Sequence, residues 1–432
     1  MKYINRINGG KRTGLTFGVI LCALVWAVPV LGQVRHNGVL DRVGPFRVLR
    51  VWGTAREMGF AHGYLLADDI VADVQTIIGG MFGSDKEAYE QALKIVAEHV
   101  RCPGWTELEI ESIHDGVSQR LGDAPMLEVV GRKLKVEDLI FFNAFDAMRA
   151  FGCSGFAVWD QYAGEAGVMA ARNFDFTAFT PDMLGRQMIL VRQPKGGKQV
   201  ASITWPGYIG VFTGFNEDGV ALFLHDGTGR RTNAPERKYM PLGLVLAGFL
   251  EEAEGNIAPK VRNLLIPLVS PFSYIVRVVL PRTAEVSQPV FVYHIDADGA
   301  GFSPHYAGKS VTTNHYLNEQ FEPRGETGED SIRRYNTIVE KLNINEVSSA
   351  LAWEILDSVA FDTPECGTIH SLVIYPERRR VELSFATWKE QYVPATKTER
   401  ALIAFKDLFV PPPPESKGTD RTEARDDETS SE

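Results

Sequence analysis

At Gly152-Cys153-Ser154 the hydrophobic pattern of this chain changes its period. Before that point, apolar residues recur at three- and four-residue spacing, as on one face of a helix. After it come short apolar runs bounded by turn residues, which read as strands. The spacing predicts helices over 57–82 (EMGFAHGYLLADDIVADVQTIIGGMF), 86–101 and 135–151 (KVEDLIFFNAFDAMRAF). It predicts strands over 167–176, 187–193, 199–215 and 219–226, with Asn216-Glu217-Asp218-Gly219 as a hairpin turn between the last two. A helix at 242–253, helices near 330–342 and 346–359, and strands at 290–297, 369–375 and 380–387 complete the pattern. Helices grouped apart from antiparallel strands argue for an α+β protein with layered sheets.

The two ends read differently from this core. Residues 1–32 carry Lys2, Arg6, Lys11 and Arg12 and no acid, then an apolar run closed by Pro29, Val30 and Gly32. That is the pattern of a secretory signal, with an uncleaved membrane anchor as its alternative. Cys22 would leave with such a signal. The chain holds no Asn-x-Ser/Thr sequon, so a periplasmic or secreted location by a non-glycosylating route is expected. Residues 411–432 are Pro-rich and then charged, and read as a disordered tail. With 45 Lys and Arg against 55 Asp and Glu, the net charge is −10. An acidic chain is poorly suited to general nucleic-acid binding or to an anionic membrane surface.

A cysteine where the texture changes has two readings. It is a core residue opening a strand, or it is a nucleophile released at a new chain end by cleavage of the Gly152–Cys153 bond. In the second reading the freed α-amino group, with an ordinary pKa of about 7.7–8.0, serves as base for its own thiol. That use of Cys153 would leave Cys102 and Cys366 free to form one disulfide in an oxidising compartment. Arg172 and Asp175 follow on a predicted strand. A cation beside the thiol favours thiolate, and a carboxylate can orient an ammonium. Strict alternation puts these two on opposite faces, so the strand is expected to bend or end between them if both serve one site. Asn314 follows a strand and is a suitable donor to a developing oxyanion. Ser331-Ile332-Arg333-Arg334 opens a helix, from which one arginine can point back into a site. Trp205, Phe212, Phe215 and Phe223 are either core or the lining of an acyl pocket.

Taken together, these residues resemble the acyltransferase/hydrolase family that contains acyl-coenzyme A:6-aminopenicillanate acyltransferase. This family lies within the N-terminal nucleophile hydrolases, alongside choloylglycine hydrolases and acid ceramidases. Gly53-Thr54-Ala55-Arg56-Glu57-Met58-Gly59, with Gly63, resembles the opening motif, and Asn143 a helix feature before the processing site. Gly152-Cys153-Ser154 resembles the processing site itself, with Ser154 where the family often has Thr. Arg172 to Asp175, the Asn216-Glu217 hairpin, Asn314-His315 and Ser331 to Arg334 resemble the remaining motifs. The resemblance implies a four-layer αββα sandwich and maturation into a light chain, 33–152, and a heavy chain from 153. It implies Cys153, Arg172, Asp175, Asn314 and Arg334 as catalytic residues, with Arg334 favoured over Arg333 by the Ser-x-x-Arg spacing. Hydrolysis or acyl transfer at a linear non-peptide amide or a thioester follows, with no cofactor or metal.

Two rivals are weighed. A Cys-His peptidase would pair Cys153 with His315 and leave the Arg172/Asp175 pair unused. A secreted binding protein on the same fold would not need Cys153, Arg172, Asp175 and Asn314, and all four are present. The nine histidines are scattered without metal-ligand spacing.

Overall fold

Two neighbouring strands, Phe151–Trp159 and Val168–Phe176, pair antiparallel along their whole length and form the middle of a six-stranded sheet. The computed structural model describes residues 36–144, 146, 151–176, 180–227, 238–253, 272–283, 286–297, 299–302, 308–317, 328–363 and 366–413. The expected signal segment with Cys22, and the tail beyond 413, lie outside the described residues.

The six-stranded sheet runs in the order Lys309–Thr312, Phe151–Trp159, Val168–Phe176, Gly367–Tyr375, Arg380–Phe385, Ala401–Ala404, all antiparallel. A nine-stranded sheet starts with Gly38–Val43 and Phe46–Gly53 and continues through Met188–Pro194, Val200–Thr204, Thr213–Asn216 and Ala221–Asp226. It ends with Tyr274–Val279, Val290–Asp296 and Gly299–Phe302. Its pairs are antiparallel except one: Phe46–Gly53 runs parallel to Met188–Pro194. The expectation of purely antiparallel sheets is corrected there.

Side-chain alternation divides the apolar residues into three cores. Ala157, Trp159, Val168 and Ala170 meet Ile189, Val191, Ala201 and Phe223 between the two sheets. Phe156, Val158, Met169 and Ala171 on the outer face of the six-stranded sheet pack on Ile338, Leu342, Trp353 and Leu356. Those four belong to helices Glu329–Lys341 and Ser349–Ser358 or directly follow the first. Leu49, Leu190, Leu222, Leu224 and Val276 on the far face of the nine-stranded sheet pack on Met58, Ile70, Ile113 and Leu246. The fold is therefore α+β, with helices outside two stacked sheets in the order αββα.

The outer helices beside the larger sheet show how sequence sets packing. Thr54 and Glu57 form a reciprocal capping box at the start of helix Ala55–Leu65. Gly59 and Gly63 lie directly on the backbone of helix Gly104–Leu121, at Glu109 and Ile113, while Gly116 receives Phe60 and Tyr64 from the other side. A side chain at any of these would hold the helices apart. Arg192, buried in the larger sheet, is clamped by Glu109 at 2.5 Å and by Glu251, under the Trp105 ring.

Several elements differ from the sequence expectation. The helix expected over 57–82 is two helices, Ala55–Leu65 and Ala67–Phe82, separated where Leu66 leaves helical geometry. The one expected over 135–151 covers Val136–Asn143, and Phe151 already belongs to a strand. The run at 199–215 is two strands flanking a buried loop from Trp205 to Phe212. The turn after it is as expected: Asn216 Oδ1 accepts the backbone N–H groups of Asp218 and Val220, and Gly219 has φ +87°. Among the described residues no helix is long and apolar enough to cross a membrane.

Candidate active site

Register decides which residues meet at Cys153. Cross-strand partners are Gly152 with Asp175, Cys153 with Phe174, and Gly155 with Arg172. Phe151, Cys153, Phe174 and Phe176 share the inner face. Arg172 lies on that face too. Asn173 turns to the outer helices, where its amide donates to Leu356 O at 2.8 Å, and Asp175 turns the same way. The strand neither bends nor ends between Arg172 and Asp175, which corrects that expectation. The irregularity sits on the next strand, where the register skips Ile369 so that Thr368 faces Asp175 and His370 faces Phe174. The two charges reach one site from opposite faces because they address opposite ends of one residue.

The thiol end belongs to Arg172. Its Nη2 lies 2.9 Å from Cys153 Sγ and also donates to Leu224 O at 2.5 Å, while Nη1 donates to Phe212 O. Sγ is 3.6 Å from Leu224 O. Cys153 and Arg172 are both fully buried. Burial pushes the thiol up to about 12, with the Arg172 charge opposing that shift and the Asp175 charge adding to it. In the continuous chain the sulfur is therefore held as a thiol. Burial likewise lowers Arg172 from its ordinary value.

The backbone end belongs to Asn314, Arg334 and Asp175. Cys153 N–H donates to Asn314 Oδ1 at 3.0 Å, and Cys153 O accepts from Arg334 Nη1 at 2.6 Å. Arg334 Nη2 also donates to Asn314 Oδ1 at 2.9 Å, and Nε donates to Asp330 at 2.7 Å. Asp175 Oδ1 accepts from Thr368 Oγ1 at 2.6 Å, and Oδ2 stands 3.9 Å from Arg334 Nη1 with no hydrogen bond of its own. Burial raises the Asp175 pKa, against the pull of Arg334. Of the two adjacent arginines, Arg334 is buried at the site and Arg333 is exposed on Asp330.

Asn314 is held by Ser331, whose Oγ accepts its backbone N–H at 2.9 Å. Its side-chain amide donates to Asp226 O at 2.9 Å, so in the continuous chain it is the Asn314 oxygen, not the nitrogen, that meets Cys153. His315 is turned away, bonded through Nδ1 to Ser331 Oγ at 2.9 Å and Thr313 Oγ1 at 3.1 Å. No histidine touches Sγ among the described residues, so the Cys-His pairing is not formed.

The expected Cys102–Cys366 bond is corrected: both cysteines are free. They lie in different layers. Cys102 packs against the outer helical core beside the larger sheet. Cys366 precedes strand Gly367–Tyr375, where its thiol senses Asp175 and Arg334. Asn143 has an architectural task. It donates to Gly207 O and accepts from Ile209 N, both at 2.9 Å, and so fixes the loop that delivers Phe212 O to Arg172. Phe212 and Trp205 pack around Phe174 beside Cys153, whereas Phe215 and Phe223 belong to the core between the sheets. The sequence pattern assigns no role to Thr368 or Arg277, offers Asp330 only as a helix cap, and leaves His225 without a definite task. The strand Gly367–Tyr375 mixes Thr368, His370 and Ser371 with apolar residues, and nothing in it singles out a hydroxyl that faces a carboxylate 193 residues away in sequence.

No protein-family model matches the chain, and no curated protein matches it. Solved structures are similar to it in part. An N-acylethanolamine-hydrolyzing acid amidase ortholog from Caenorhabditis elegans aligns at TM-score 0.38 and 17% identity, over 52% of this chain and 93% of its own. A variant of the conjugated bile acid hydrolase from Clostridium perfringens aligns at TM-score 0.41 and 10% identity, over 59% and 93%. Penicillin V acylase from Agrobacterium tumefaciens aligns at TM-score 0.28 and 15% identity, over 54% and 83%. At such values the fold reading rests on the layers and register of this chain itself, an αββα sandwich with Cys153 in a central strand.

Proposed function

We propose that this chain is a self-processing cysteine amidohydrolase of the N-terminal nucleophile type, made with a signal segment and active outside the cytoplasm. The observation that carries this reading is the double approach to Cys153: Arg172 at 2.9 Å from the thiol, and Asn314 at 3.0 Å from the backbone nitrogen. A core cysteine needs neither. The buried oxygen of Asp175 beside Gly152, which accepts no hydrogen bond and has Arg334 at 3.9 Å, supports it further.

In processing, Sγ attacks the Gly152 carbonyl carbon and its proton passes to the departing Cys153 nitrogen. Water then cleaves the resulting thioester. Gly152 leaves as a carboxylate and Cys153 becomes the first residue of the heavy chain. In turnover, the new α-amino group takes the thiol proton, Sγ attacks the substrate carbonyl, and the proton is returned to the leaving amine. Water resolves the acyl-cysteine, or a second amine does so in acyl transfer. Arg172 favours the thiolate, Asp175 orients the ammonium, and Arg334 braces Asp175 and the Cys153 carbonyl. Asn314, once its amide turns from Asp226, donates to the oxyanion. The substrate class is a linear non-peptide amide, or a thioester donor, with Trp205 and Phe212 on the acyl side.

Intact mass of purified protein tests this. The expected result is two fragments, the heavier starting Cys153-Ser154-Gly155, and a single uncut, inactive chain for Cys153→Ala. An alanine variant cut like the parent overturns the nucleophile assignment. A parent that stays whole and turns over no amide supports the binding-protein reading instead.

A further inference from the structure

Beneath the thiol, between the sheets, lies a group of polar side chains that the proposed chemistry does not use. Arg277 is fully buried on strand Tyr274–Val279 and reaches across to the other sheet, where Nη2 donates to Gly155 O at 2.9 Å. Its Nε and Nη1 have no partner. His225 is fully buried on the adjacent strand, and neither ring nitrogen has a partner. Ala221 and Phe223 of that strand belong to the core between the sheets, so alternation turns His225 into the same space. Thr312 pairs with Gly155, and its buried hydroxyl is also unpartnered.

The charge here is uncompensated. Arg172 sits opposite Gly155 in register and spends its guanidinium on two carbonyls and the thiol. Neither Arg172 nor Arg277 forms an ion pair with a carboxylate among the described residues. Their charges, with that of Arg334, and burial keep His225 neutral. A buried cation without a counter-charge is destabilising, and each unmade hydrogen bond adds to that cost. Water can satisfy the hydrogen bonds but not the charge. Arg277, His225 and Thr312 are all buried, so only a species of one or a few atoms can share their space.

We propose that a small monovalent inorganic anion, of the halide class, is bound between the sheets by Arg277, His225 and Thr312 and serves as counter-ion to the arginines under the nucleophile. This goes beyond the proposed catalytic reading and does not depend on it.

Full-length protein dialysed into sodium gluconate and then titrated with sodium bromide at constant ionic strength tests the proposal. The thermal midpoint is expected to climb by several degrees, linearly in the logarithm of bromide once the site fills. Arg277→Met is expected to give a flat titration. Crystals of the parent grown in bromide should show an anomalous peak in contact with Arg277 and His225, a readout that stands even where the variant does not fold. Equal midpoints in gluconate and bromide, or a water without anomalous signal at that position, overturn the proposal.

Discussion

Gly152 and Asp175 stand directly opposite each other across two paired strands, so close that a Cβ at Gly152 would lie 3.4 Å from the Asp175 Cβ and 3.5 Å from its Oδ2, in van der Waals contact. The peptide bond proposed for cleavage is thus flanked by a buried acid with one oxygen that accepts no hydrogen bond. Asp175→Asn keeps the size of the side chain and removes the charge. Conversion of the precursor should slow at least tenfold on a denaturing gel, while the thermal midpoint holds or rises because a buried charge has been deleted. Unchanged conversion would mean that Asp175 serves the fold alone.

Arg334 is the clasp between the backbone and the outer helix, since it holds Cys153 O, Asn314 Oδ1 and Asp330 together. Arg334→Gln should cost about 2–4 kcal/mol of stability, because charged hydrogen bonds are lost and buried acceptors are left open. Arg333→Gln, on the exposed neighbour, should stay within about 0.5 kcal/mol. Denaturant melts of the two variants side by side check this.

His62 accepts the Gly207 N–H at 2.9 Å through Nε2, which only the neutral ring can do. Burial, with the Arg192 charge, lowers its pKa to about 3. The unfolded chain takes up a proton at this residue near pH 6.5 and the folded chain does not. Stability from His62 is therefore complete above pH 6.5 and is lost as pH falls toward 3, on the order of 2 kcal/mol by pH 5. His62→Gln should flatten that slope in melts taken from pH 7 to pH 4.

Gly63 touches the Ile113 carbonyl at the crossing of two outer helices. Gly63→Ala should destabilise by about 1–3 kcal/mol through overpacking, despite the better helix propensity of alanine. Gly80→Ala, in the next helix with open space around it, should be neutral or slightly stabilising by the same melt.

Burial holds the thiols of Cys102 and Cys366 up, to about 11 and about 12, as it does that of Cys153. Native uncut protein should resist iodoacetamide at neutral pH, and denatured protein should be alkylated at all three positions without reductant. Peptide mapping reads both states. Failure of Cys102 and Cys366 to label after denaturation would restore the bond between them.

The site was more legible than the scaffold. Cys153, Arg172 and Asp175 carry charge or reactivity in an apolar strand context, a contrast visible in one dimension, whereas Asn314 follows a strand and Arg334 lies in a polar helix, where only motif spacing marks them. Strands Gly38–Val43 and Phe46–Gly53 carry no clean alternation, since Val39 and Leu40 are exposed beside Asp41 and Arg42, and in helix Gly104–Leu121 polar residues lie on the buried side too. Glu109 and Ser112 are buried in that helix, so apolar periodicity alone cannot find its inner face. Arg277 was passed over for the opposite reason: within YIVRVV a single cation reads as an outward residue, and only the second sheet above it makes it inward.

The parallel pairing within the nine-stranded sheet has a consequence for any cut at Gly152. Strand Phe46–Gly53 precedes the cut and is zipped by its hydrogen bonds to Met188–Pro194, which follows it. The severed pieces would remain interleaved, each supplying part of the same hydrogen-bonded surface. A nick would change the number of polypeptides without changing the number of particles, so size-exclusion elution would not move and only denaturation would reveal it.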